Sequence, residues 1–130
     1  MRPVPALATA ASAPGCAAQP VKDLERILFK KGEPQLTAGI KEYENANFSE
    51  TTRLIETALE QGVSRSDEVK AHKYLAFIHC SARRETQCRS EFTKAFEIDP
   101  TFELEAVEAG HPMWGPVFRS VKGAQTTASK

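Results

Sequence analysis

The sequence predicts an all-α fold, two helical hairpins closed by a C-terminal capping segment. Three observations predict it. From Ala71 to Pro100, AHKYLAFIHCSARRETQCRSEFTKAFEIDP, apolar residues recur at helical spacing on both sides of a polar turn. From Thr51 to Leu59 the same spacing appears in Thr51, Leu54, Ile55, Ala58 and Leu59. After Pro100 one apolar cluster is left, Met113, Trp114, Val117, Phe118 and Val121, with no third hairpin for it to join. The 130 residues make room for one domain. Seventeen basic and seventeen acidic residues cancel, so there is no basic excess to hold nucleic acid. No apolar run reaches the length of roughly 18 residues that a membrane-spanning helix needs.

Residues 1–20, MRPVPALATAASAPGCAAQP, are rich in alanine and proline and carry no helical or strand period. One positive charge, Arg2, precedes a weakly apolar stretch and small residues that end in Gly15-Cys16. This resembles the end of a bacterial lipoprotein signal peptide. The resemblance implies that Cys16 becomes the lipid-bearing first residue of the mature chain. The rival reading is a disordered N-terminus with an incidental cysteine. Either way residues 1–20 stand outside the fold. Residues 21–33 read as a linker or short helix, with Val21, Leu24, Ile27 and Leu28 on one face and Gly32-Glu33-Pro34 as the break.

The helical domain is expected over residues 34–122. Pro34 suits a first helical turn, where its missing N–H is not needed. The helix it opens runs to about Asn45 and carries Leu36, Ile40 and Tyr43. Asn47-Phe48 turns the chain, Ser49 is the expected N-cap of the next helix, and Gly62 stops it. Ser66, with Asp67 and Glu68, starts the central hairpin. Its first helix carries Ala71, Tyr74, Leu75, Ile78 and Ala82, with Phe77 and Cys80 on a second apolar flank. That helix is expected to be covered on two sides. Arg83-Arg84-Glu85 makes the turn. Cys88, Phe92, Ala95 and Phe96 form the stripe of the second helix, which Asp99-Pro100 ends. Weak helical signals follow from Thr101 to Ala109, then a short helix around Val117 to Val121, and residues 123–130 read as a disordered tail.

The two hairpins align on each other at a constant offset of 37 residues. Gly39 matches Ala76, Thr51 matches Cys88, Ile55 matches Phe92, and Ala58-Leu59 matches Ala95-Phe96. This pattern, closed by Pro100, resembles the tetratricopeptide repeat, whose period is about 34 residues. The rival is an unrelated four-helix arrangement. A closer resemblance runs from about Leu28 to Lys122. HKYLAFIHC, EFTKAFEIDPTFEL and above all GHPMWGPVF are similar to the small tetratricopeptide lipoproteins associated with type VI secretion systems, the TssQ-like family. The resemblance implies a periplasm-facing accessory lipoprotein, a scaffold binding a protein component of the envelope or secretion system. Ala17, following the cysteine in place of Asp, points to the outer membrane. The alternative is an untethered cytoplasmic adaptor or chaperone of the same fold.

In tetratricopeptide folds the first helix of each hairpin lines the binding groove. That implies a groove with Leu36, Ile40, Tyr43, Lys70, Lys73 and Phe77 on or near it. The two lysines would suit a partner carboxylate, or are only a solvated face. Cys80 and Cys88 lie symmetrically about the central turn, so an antiparallel hairpin brings them together. They are expected to be disulfide-bonded if the protein is exported, and two packed thiols otherwise. His111, Met113, Trp114 and Phe118 belong to a segment that either caps the second hairpin or stays exposed as a docking motif.

Enzymatic chemistry is not expected. His79 and Cys80 invite a thiolate–imidazole reading, but adjacent helical residues point about 100° apart. His72, His79, Cys80 and Cys88 lack metal-ligand spacing. There is no glycine-rich phosphate loop and no H-E-x-x-H. No cofactor, metal or small-molecule substrate is implied.

Overall fold

The computed structural model describes residues 30–128. Cys16, residues 21–29 of the expected linker or short helix, and the other readings of residues 1–29 lie outside them. Six α-helices follow in order, and no strand occurs among the described residues: α1 Glu33–Glu44, α2 Phe48–Gln61, α3 Arg65–Ser81, α4 Glu85–Ile98, α5 Ala106–Ala109 and α6 Gly115–Ala128. α1 packs on α2, α3 on α4, and α6 against α4.

Pro34 lies in the first turn of α1. Gly39 is buried where α1 crosses α2, and a Cβ there would meet Ile55 Cγ1 at 3.0 Å. Gly32 is tighter still. Its N–H donates to Gly62 O at 2.8 Å, and a Cβ would stand 2.1 Å from Ala58 O. Only hydrogen fits between the start of α1 and the end of α2. Gly62, at φ 100°, ends α2.

Two caps fall two residues before their expected places. Asn47, not Ser49, precedes α2, and its side chain donates to Glu42 Oε1 instead of capping. Ser64, not Ser66, caps α3, its Oγ accepting from Asp67 N–H at 3.1 Å. Ser64→Ala is expected to cost about 1 kcal/mol and Ser66→Ala much less, by urea unfolding.

The repetition is sharper in the backbone than in the sequence. α2 and α4 start at residues 48 and 85 and end at 61 and 98, both 37 apart. The turns before them are alike. Ala46 has φ 63° and Arg83 φ 64°, left-handed values uncommon outside glycine. Asn47 and Arg84 follow at φ/ψ −97°/73° and −100°/72°. Asn47 N–H donates to Glu42 O, and Arg84 N–H to His79 O, at the same offset. Glu85 is therefore the first residue of α4, as Phe48 is of α2, and not part of the turn. The matched inward positions Thr51 and Cys88, Ile55 and Phe92, and Ala58 and Ala95 are all fully buried. Thr51 is tolerated there because its Oγ1 donates to Asn47 O at 3.0 Å.

α3 is covered on two sides. Ala71 and Leu75 join Leu36, Ile55, Ala58 and Val63 in one cluster. Ala76, Phe77 and Cys80 join Phe92, Phe96, Trp114 and Phe118 in the other. Beyond Pro100, Phe102 and Leu104 are buried, and a capping box between Glu105 and Glu108 starts the one-turn α5. α6 then buries Val117, Phe118 and Val121. It continues to Ala128, where the sequence reading has a disordered tail from Gly123. Val121 anchors the helix, and one glycine costs only about 1 kcal/mol in a helix interior.

Candidate interaction surface

A strip of aromatic rings crosses the molecule from the first hairpin to the C-terminal segment. Phe48 lies 5.4 Å from Tyr43, Tyr43 5.0 Å from Tyr74, and Tyr74 5.8 Å from Phe77. Phe77 stacks on Trp114 at 4.0 Å, and Trp114 stacks on His111 at 3.5 Å. The turn after α1 brings Phe48 back over Tyr43, and helical spacing puts Tyr74 and Phe77 on one face of α3. The strip is wet at one end and dry in the middle. Phe48 is 41% exposed, Tyr43 and Tyr74 are half-buried, and Phe77 is 2% exposed.

The expected groove is corrected in three respects. Leu36 and Phe77 are core residues, because α1 and α3 turn those positions onto neighbouring helices. Lys73 is not free. Its Nζ pairs with Glu108 at 2.8 Å and lies over the Tyr74 and Phe77 rings, 5.1 and 5.8 Å from their centroids. Lys70 is exposed. Ile40 and Tyr43 are the half-buried residues of the set that remain on the surface. The sequence reading missed Phe48 as a surface ring, and also Glu108, whose pairing spans 35 residues and leaves no local pattern.

The segment around Trp114 packs as a cap. Trp114 is 7% and Phe118 4% exposed. The indole N–H donates to Glu108 O at 2.9 Å, and Phe118 meets Phe92, Phe96 and Phe102. His111 Nδ1 accepts from Met113 N–H at 3.0 Å, which closes the turn before α6. Met113 lines a shallow cleft of about 220 Å³ with Cys80, Arg83, Glu85 and Val117. Cys80 and Cys88 are disulfide-bonded, Cα to Cα 5.2 Å, and both are buried.

Polar groups on α3 and α4 form a second cluster. His72 Nδ1 lies 2.7 Å from Glu91 Oε1, and Lys94 pairs with the other Glu91 oxygen at 3.6 Å. Burial pushes the Glu91 carboxyl up. The His72 hydrogen bond and the charges of His72, Lys94 and His79 outweigh that and hold it below its ordinary value. Burial, then the Arg84 charge, lowers His79, whose Nδ1 accepts from Arg84 Nε at 2.9 Å. Both groups bind protons more readily in the unfolded chain. Their contribution is complete above the ordinary values, 6.5 for His79 and 4.5 for Glu91, and is lost as pH falls below each. Thermal melts across the acid range are expected to show a shallow decline in the first window and a steeper one in the second. His79→Gln is expected to remove the first and, by taking away one of the charges that lower Glu91, to make the second slightly shallower.

Among the described residues no group of three or more His, Cys, Asp or Glu is placed to hold a metal ion. No helix there is long and apolar enough to cross a membrane. The chain matches no family model, no curated protein and no solved structure.

Proposed function

We propose that the protein is a tetratricopeptide-like interaction scaffold, tethered by lipid at Cys16 and serving as an accessory lipoprotein of a type VI secretion system. The reading is carried by the repeated hairpin, turn included, at 37-residue spacing. In a tetratricopeptide stack α1 and α3 line the groove, and here those helices carry Tyr43 and Tyr74 of the ring strip, with Phe48 beside them at the start of α2. The Cys80–Cys88 bond supports an exported location, since disulfides persist in oxidising compartments such as the periplasm. The sequence ALATAASAPGC supports the anchor, and GHPMWGPVF supports the secretion-system assignment.

Several acyl chains on a mature lipoprotein, at about 0.8 kcal/mol per buried methylene, hold it on the membrane stably. Labelling cells with a palmitate analogue is expected to mark the protein, and Cys16→Ala is expected to lose both label and membrane fractionation. Unchanged labelling in that variant overturns the anchor. A photoreactive side chain at position 48 is expected to cross-link a secretion-system component in membranes. Recovery of no protein overturns the docking role.

A further inference from the structure

We propose that the open end of the ring strip, Phe48, Tyr43 and Tyr74 edged by Glu44 and Glu105, receives a lysine or arginine side chain from an extended partner segment. This rests on the docking reading above and names the chemistry of its partner.

The protein already contains one example of the arrangement. Lys73 Nζ lies over the Tyr74 and Phe77 rings and pairs with Glu108. That is cation–π attraction completed by a carboxylate. Beyond Tyr74 the strip continues into Tyr43 and Phe48, rings over which no cation lies among the described residues. Tyr43 and Tyr74 meet edge to face, and Phe48 offers the most exposed ring. Glu105 stands beside this site because its N–H donates to Glu108 Oε1 at 3.0 Å, while Glu108 Oε2 holds the Lys73 that lies over Tyr74. Glu44 follows Tyr43 at the end of α1. In keeping with this, the Tyr74 hydroxyl is raised first by burial and then by Glu108, Glu44 and Glu105. Glu108 is neutralised by Lys73. Glu44 is exposed and has no ion-pair partner among the described residues. Glu105 is exposed and bonds only backbone N–H of its own capping box. Lys70 lies one helical turn before Tyr74 and bounds the patch on that side. A partner carboxylate would meet Glu44 and Glu105, whereas a cation would find both a counter-charge and ring faces. Arginine suits the site best, since its planar group stacks on tyrosine while bonding carboxylate.

Titration calorimetry of the full chain tests this with two short blocked peptides, one carrying two arginines among glycines and serines, the other with glutamates in their place. The arginine peptide is expected to bind at least about tenfold more tightly. Its amide shift changes are expected at residues 43–48 and around 74. Glu44→Gln with Glu105→Gln, and separately Phe48→Ala, are expected to weaken it about tenfold. Lys70→Glu is expected to tighten it. Equal or tighter binding of the glutamate peptide at the same residues overturns the inference and leaves the docking reading intact. Binding of neither peptide also overturns it. The docking reading falls separately, if the position-48 cross-linker recovers no protein.

Discussion

Replacing Trp114 with alanine is expected to cost about 3–5 kcal/mol, the range for deleting a large buried aromatic. Phe77 covers one face of the indole and His111 the other. Its N–H donates to Glu108 O, so the truncation leaves a cavity and removes that hydrogen bond, while Glu108 O keeps the His111 N–H. Glu108 also holds Lys73, which ties the damage to α3. For a domain this small, such a loss is a large share of total stability. Urea unfolding followed by circular dichroism measures it. Trp114 is the single tryptophan, so emission reports on it alone. Blue-shifted emission in the folded protein and a red shift on unfolding are expected, with Trp114→Phe recovering part of the loss. An unchanged melting temperature in Trp114→Ala would show that the cap does not hold the fold together.

Removing the disulfide is expected to cost about 2–3 kcal/mol, from the loop entropy released when so short a link is cut in the unfolded chain. The bond joins residues eight apart in sequence across the turn between α3 and α4. Cys80→Ala with Cys88→Ala keeps both sites apolar, so the change reads mainly the cross-link. Denaturant midpoints measure the effect. Protein purified without reductant is expected to resist alkylation at Cys80 and Cys88. Two readily alkylated thiols at these positions, or an unchanged midpoint, would contradict the bond or its contribution.

The hairpins were legible because inward positions are fixed by helix packing. Gly39, Thr51, Ile55 and Ala58 repeat at Ala76, Cys88, Phe92 and Ala95 since the same backbone approach is built twice. The caps were less legible. Asn45, Asn47, Ser49, Ser64 and Ser66 are all plausible cap residues by type, and position within one turn decides among them. The groove was misread at Leu36 and Phe77 for a related reason. In a helix covered on two sides, periodicity marks which residues are apolar but not which flank stays open. The pairing of Lys73 with Glu108 neutralises one of the two lysines expected on the surface. It depends on how the chain returns after Pro100, which no local pattern records. The length of α6 was hidden by Gly123 and the polar residues that follow it.

The matching turns at Ala46 and Arg83 put the residues around one connection in register with those around the other. Cys80 and Cys88 correspond to Tyr43 and Thr51. Where the second hairpin carries a covalent staple, the first carries a ring and a hydroxyl. The two copies have thus parted in role on the same scaffold. One has its connection locked and supports the cap. The other leaves the equivalent corner unlocked and presents Tyr43 and Phe48 there, so reducing agents should loosen the half that braces the molecule while sparing the half that carries these surface rings.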